Sequence, residues 1–235
     1  QFTYSLMTRS LRVSHASMRK RDPALCATIE AELGCDGVRP ALAGYAHGAL
    51  RLTSRLCVEV GADGAPPPQT DGGVPGDRHL IRFGGLAERG AALIISEPLD
   101  VGADLALAGN FNDDQMVGWH RVVDAVHGYG AARIAAQLRV DPAAPAAFLE
   151  AVWRAEHAGF DALVLAVEDA TSERVAAALR GARRHWPEAR PLVVRILGAD
   201  DATALACAHA AGQGGAAAIW VGAAADRDAL LRADE

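Results

Sequence analysis

The chain is predicted to be an α/β protein: a parallel sheet covered by helices, with a helical extension at its N-terminus. From Leu50 onward, short apolar runs alternate with amphipathic helical patterns. The runs are continuously apolar, as strands covered on both faces require. Length sets the count. A complete (β/α)8 barrel takes about 250 residues, and the roughly 190 that follow the N-terminal piece fit about six βα units. Periodicity alone leaves open both a barrel fragment and a doubly wound open sheet.

The elements follow in order. Residues 1 to about 33 read as helical, with Leu6, Leu11, Val13, Leu25, Ile29 and Leu33 set among Arg9, Arg12, Arg19, Lys20, Arg21 and Glu30. Asp22-Pro23 supplies a cap and a first-turn proline. Gly34 to Gly48, with Gly37, Pro40 and Gly44, reads as a linker. The expected strands are Leu52–Val60, Ala92–Glu97, Arg133–Leu138, Ala162–Val167, Leu192–Ile196 and Ala217–Val221. Between them, Met116, Trp119, Val122, Val123 and Val126 mark one face at helical spacing. Asp113 and Asp114 read as the caps of that helix, where carboxylates meet free N–H groups and the positive end of the dipole. Phe148, Val152 and Ala155 mark the next helix, ended by Gly159 as its C′ residue. Asp169 or Thr171 caps a further one carrying Val175, Ala178 and Leu179, which Pro187 stops.

A net charge of −6 and a pI near 5.7 argue against nucleic acid or an anionic membrane surface as partner. No apolar run reaches the roughly eighteen residues of a membrane span. Cys26, Cys35, Cys57 and Cys207 show neither CxxC nor metal-ligand spacing, so they read as buried or free thiols of a reducing cytoplasm. The start at Gln1 has no signal-like pattern. Falling inside a helical segment, it reads as part of something longer. His120, Asp124 and His127 share a helix face at i, i+4 and i+7, and read as a solvated polar face instead of a metal site. Gly212-Gln-Gly-Gly215 precedes a strand, the wrong order for a phosphate cradle, and reads as a loop. Arg183-Arg184-His185 reads as a basic helix C-terminus.

The stretch Asp71-Gly-Gly-Val-Pro-Gly-Asp-Arg-His-Leu-Ile-Arg-Phe-Gly84, followed by Ala91-Ala-Leu-Ile-Ile-Ser-Glu97, carries a family resemblance. It resembles the segment joining the first two strands of flavin-dependent barrel enzymes of the old yellow enzyme family, roughly Asp-Gly-x-Pro-x-Asp-Trp-His-x-x-His-x-Gly. Asp77, His79 and Glu97 match; Arg78 replaces the tryptophan, Arg82 the second histidine, and Pro98 the alanine beside the flavin. Leu52 to Val58 looks like the first strand, with Ser54 for asparagine and Glu59-Val60-Gly61 where the family has a flavin-touching proline-methionine corner. Asn112-Asp-Asp-Gln115 looks like the Asn-Asp-Glu-Gln helix start. The resemblance implies an incomplete TIM barrel of about six βα units over residues 48–235, with residues 1–47 as a helical extension and linker.

The same resemblance implies FMN as cofactor and assigns Gln137 and Arg195 to it, on the third and fifth strands. Gln137 would meet the pyrimidine ring and Arg195 the reduced ring's electron density. The histidine after Gln137 is Val140, and the carbonyl-polarising pair of the fourth strand is Ala166 and Asp169. The two final strands, which bind the FMN phosphate, have no counterpart. Gln1 to His15, with Arg21-Asp-Pro23, is similar to the tail of the FAD monooxygenase half in bifunctional aryl-CoA enzymes, such as anthraniloyl-CoA monooxygenase/reductase and salicylyl-CoA 5-hydroxylase. Together these imply a site-depleted oxidoreductase domain of a flavin monooxygenase system, with a structural or assembly role. FAD and NAD(P)H would then belong to a partner or upstream monooxygenase part, and the chain would be oligomeric. The runner-up is an active FMN-dependent NAD(P)H oxidoreductase of ene-reductase type, completed by a partner chain. A weaker third reading is a small-molecule binding module.

Overall fold

The computed structural model describes residues 42–61, 73–99, 101, 109–110, 112–197 and 199–221, with a few positions between 23 and 31. Of the expected N-terminal helix, Pro23, Ala24, Ala27, Thr28 and Ala31 are helical; the rest lies outside the described residues. A hairpin, β1 (Tyr45–His47) and β2 (Leu50–Leu52), comes first. The main sheet holds β3 (Cys57–Glu59), β4 (Leu93–Leu99), β5 (Arg133–Arg139), β6 (Ala162–Val167), β7 (Leu192–Ile196) and β8 (Ala218–Val221). Its crossover helices are α1 (Asp77–Glu88), α2 (Asp113–Gly128), α3 (Pro145–His157), α4 (Ser172–Ala182) and α5 (Asp201–Gln213). No helix among the described residues is long and apolar enough to cross a membrane.

Strand order decides between the two candidate architectures. The strands pair in parallel as β3-β4-β5-β6-β7-β8, with no reversal. A doubly wound sheet reverses at a switch point and carries helices on both faces. An unreversed run of right-handed crossovers places every helix on one face. The other face is therefore free to curl, and it does. Arg195 on β7 bonds Glu59 on β3 at 2.5 Å, although four strand spacings of about 4.8 Å would hold these strands ~19 Å apart in a flat sheet. The sheet is a half-barrel.

The continuous apolar strands follow from this geometry. Ile94, Ile134, Ala136, Leu138, Leu163, Leu165, Leu192 and Val194 pack outward against Phe83, Trp119, Val122, Phe148, Val152 and Leu179 of the helices. Leu93, Ala135, Ala162 and Val164 point inward, against Leu50 and Leu52 of the hairpin. Trp119 sits in the middle of the outer layer. Its ring meets Phe83 edge-on at 5.7 Å and Phe160 at 5.5 Å, and its indole N–H donates to the Gly109 carbonyl at 3.0 Å.

The expected first strand, Leu52–Val60, is two elements. Leu52 closes the hairpin, a bend at Thr53–Arg55 follows, and only Cys57–Glu59 joins the sheet. The bend is held by the Ser54 hydroxyl, which accepts from Leu56 N at 3.3 Å. The linker reading of Gly34–Gly48 likewise gives way at its end, where Tyr45–His47 pairs with Leu50–Leu52. Gly48, at φ +55, takes the first turn position, where positive φ favours glycine. A Cβ there would run into the Ala189 carbonyl, which also accepts from Ala49 N at 2.6 Å. The hairpin thus plugs the N-terminal end of the half-barrel.

Capping follows the sequence closely. Asn112, not Asp113 or Asp114, caps α2 by accepting from Gln115 N at 2.8 Å; the two aspartates occupy the first turn. Thr171 caps α4 by accepting from Arg174 N. Gly159, at φ +90, ends α3 as expected. Asp200 caps α5, and the Thr203 hydrogen bonds hold its carboxyl below the usual range.

Two outcomes follow. Trp119→Ala should cost about 3–5 kcal/mol in urea unfolding, as for a fully buried aromatic, whereas Ile81→Ala, at a position 76% exposed, should stay within about 0.5 kcal/mol. A lowered carboxyl pKa contributes stability above its unfolded value and loses it as pH falls through the folded one. Asp200→Ala should therefore reduce the melting temperature at neutral pH, and the difference should vanish below the carboxylate range.

Candidate functional site

The concave face at the C-terminal ends of the strands is where the sequence-assigned residues meet. Side chains two apart along a strand share a face. Ala135 faces inward, so Gln137 does too; Val193 sets Arg195, Cys57 sets Glu59, and Ala218 sets Trp220. The register places Arg195 opposite Ala166 on one side and Trp220 on the other. Gln137 is fully buried, and the side chains of Arg195 and Glu59 are 19% and 26% exposed.

These groups form one network. Arg195 Nη1 donates to Glu59 Oε1 at 2.5 Å. With its amide assigned from the surrounding donors and acceptors, Gln137 accepts from Arg195 Nη1 at 2.8 Å and donates to Glu59 Oε1 at 3.3 Å. The Arg195 guanidinium lies over the Trp220 ring at 4.2 Å from its centroid, a cation–π contact. Arg195 Nε is buried and has no hydrogen-bond partner among the described residues. Gln137 is fixed from behind as well: its backbone N–H donates to the Ser96 hydroxyl at 3.0 Å, which in turn donates to the Glu97 carbonyl. Gln137 and Arg195 thus meet each other, and both are engaged by Glu59.

The other singled-out residues go elsewhere. Ala166 lies on the concave face with no polar group. Asp169 is exposed beyond β6 at φ +45, and its carbonyl accepts from Arg174 Nη1 at 3.1 Å. Val140 follows β5 and lines a groove in the helix layer, not the concave face. Glu97 and His79 face the helix layer. His79 Nδ1 accepts from Gly76 N at 3.2 Å, so Nε2 carries the proton and donates to Glu97 Oε1 at 3.1 Å. A register shift between Ile95 and Pro98 turns Glu97 away from the concave face that its spacing from Ile95 would otherwise give it. His120 pairs with Asp124 at 3.4 Å, whereas His127 turns to Asp161 at 2.8 Å. Arg183 donates to the carbonyls of Pro187 and Arg190 and secures the end of α4. Burial pulls its cation down and Glu188 partly offsets this. Cys57 and Cys207 are free thiols. Burial pushes the Cys207 thiol up, with a Ser172 hydrogen bond opposing. Cys26 and Cys35 lie outside the described residues.

Glu59 and Trp220 complete the site without being read from the sequence as members of it. Their signal was strand parity: each lies two residues after an inward-facing position.

The sequence matches no family model and no curated protein. In three dimensions the chain is similar to a variant of NCR from Zymomonas mobilis, with a TM-score of 0.63 at 18% identity, covering 77% of this chain and 68% of that one. It is also similar to morphinone reductase in complex with tetrahydroNAD (TM-score 0.61, 18% identity, 77% and 73% covered) and to a second morphinone reductase structure (0.62, 19%, 77% and 71%). The half-barrel therefore has an old-yellow-enzyme-like fold.

Breaking one side of a desolvated, hydrogen-bonded charge pair costs about 2–5 kcal/mol, largely because the partner is left uncompensated. Arg195→Met and Glu59→Leu should each destabilise by an amount in that range. The double variant should recover much of the loss, since an apolar pair of similar volume removes both charges. Chemical denaturation of the four proteins reads this; strict additivity would contradict the network.

Proposed function

We propose that this chain is a degenerate old-yellow-enzyme-like domain of an aromatic acyl-CoA flavin monooxygenase/oxidoreductase system, serving a structural or assembly role. The observation that carries this reading is the Glu59–Gln137–Arg195 network. The two residues assigned to FMN are satisfied internally: one is neutralised by a carboxylate, the other spans both charges. Ala166 offers no donor to polarise a substrate carbonyl. Among the described residues, β3 pairs only with β4 and β8 only with β7. These open edges lie where further strands would build a phosphate site. The residues present do not fit an FMN held by this chain alone, and no redox step is assigned to them.

Open edges invite association, and Ile219 and Val221 on β8 are 39% and 53% exposed. This supports an assembly role in which a flavin monooxygenase domain or subunit, carrying FAD and using NAD(P)H, covers the edge. One observation favours the runner-up, an FMN-dependent NAD(P)H oxidoreductase completed by a partner chain. Arg195 Nε is buried and lacks an acceptor, a vacancy that an anionic ring edge would fill.

Titration with FMN separates the two. The purified chain should show no saturable binding at micromolar FMN and no flavin band near about 450 nm after purification. Tight binding, with NAD(P)H oxidation that falls about 10²–10³-fold in Gln137→Ala or Arg195→Ala, would establish the runner-up.

A further inference from the structure

In the helix layer, on the convex side of the sheet, a trough of about 420 Å³ opens between α3 and α4. Its apolar surface comes from Val140, Phe148, Leu149, Ala178 and Gly181. Gly181 lies against this apolar surface: a Cβ there would rest in ordinary contact with Leu149 at 3.4 Å and Phe148 at 3.7 Å. Arg174, Arg180 and Arg184 line the α4 wall. Arg174 and Arg180 lie on α4, about 9 Å apart along its axis at 1.5 Å per residue, and Arg184 follows in the turn just past its end.

The charges of this wall are largely uncompensated. The side chains of Arg180 and Arg184 make no hydrogen bond or ion pair among the described residues. Arg174 bonds only to neutral carbonyls, donating to Glu168 O at 3.4 Å and Asp169 O at 3.1 Å. Asp169 is the one non-glycine residue at positive φ among those described. Such strain is held where the surroundings over-determine it, and here it turns a carbonyl onto Arg174 and fixes that side chain at the head of the trough. The one carboxylate in the lining, Asp141, already accepts from Ala143 N at 2.8 Å. Three arginines against one aspartate make a cationic wall on a chain whose net charge is −6.

We propose that this trough binds a small amphipathic anion: an apolar acyl or aryl body against Phe148 and Leu149, with a carboxylate or phosphate head among the arginines. The volume lies within the roughly 300–1,000 Å³ of small-molecule sites, which pair apolar walls with a few placed polar groups. Arginine suits such a head group through its planar donor fork. The lining shares no residue with the Glu59–Gln137–Arg195 network.

Isothermal titration with sodium decanoate, and with decyltrimethylammonium as the cation of equal chain length, tests this. Decanoate should bind saturably with Kd on the order of 0.1–1 mM, as its size allows, and the ammonium should not. Arg180→Glu with Arg184→Glu should weaken decanoate about tenfold or more, by reversing two charges that each contribute a few-fold. Arg180→Lys with Arg184→Lys should keep most of the affinity, and Gly181→Phe, which fills the trough, should remove it. Arg180 and Arg184 are both exposed, and the folding of their variants is checked by circular dichroism. No decanoate binding, equal binding of both amphiphiles, or affinity unchanged by the charge reversal would each overturn the proposal.

Discussion

The contact between Glu59 and Arg195 crosses the concave face from the first strand of the main sheet to the fifth, and the rest of the site depends on it. It requires the sheet to curl, because in a flat sheet these side chains cannot span four strand spacings. It sets Gln137 between a donor and an acceptor, so that the amide is saturated without any ligand. It also presents one face of the guanidinium to Trp220 on β8. A single ion pair, shielded from water by its neighbours, thereby links β3, β5, β7 and β8. Surface pairs contribute little to stability. This one is partly desolvated and hydrogen-bonded on several sides, so losing either partner leaves a charge that the surroundings cannot solvate.

The functional reading follows from where the polar groups of the concave face are spent. A cofactor site needs groups that remain available until the ligand arrives. Here the amide and the guanidinium are directed at Glu59. The outer face tells a different story. The α3–α4 trough keeps its arginines free of counterions, and one is held in place by a strained loop. The polar groups of the concave face are bonded to one another, whereas those of the helix layer line an open groove.

Much of the fold was legible because it rests on local signals. The five later strands are continuous apolar runs, and burial on both faces by hairpin and helices explains them. Thr171 and Gly159 act through backbone groups within a few residues, and their roles could be read directly. Other features depend on contacts distant in sequence. Whether Leu52–Val60 is one strand or two depends on a plug that meets Ala189, far along the chain. Asn112 outcompetes its aspartate neighbours as cap through its own backbone geometry, which composition does not reveal. Strand parity places Gln137 and Arg195 inside, but the shift after Ile95 reverses it for Glu97. Glu59 was visible only as a departure from a motif; its role as partner to Arg195 appears once the sheet is curled.

Proximity across the concave face is the most direct test. In a background with the native cysteines replaced, Glu59→Cys and Arg195→Cys can be treated with a short bis-maleimide whose span is well under the ~19 Å separation of a flat sheet. The half-barrel predicts rapid intramolecular bridging of the two thiols, read by intact mass as one reagent per chain, with none in unfolded protein. Addition of two singly attached reagents to the folded chain would contradict the curled sheet and the closed site built upon it.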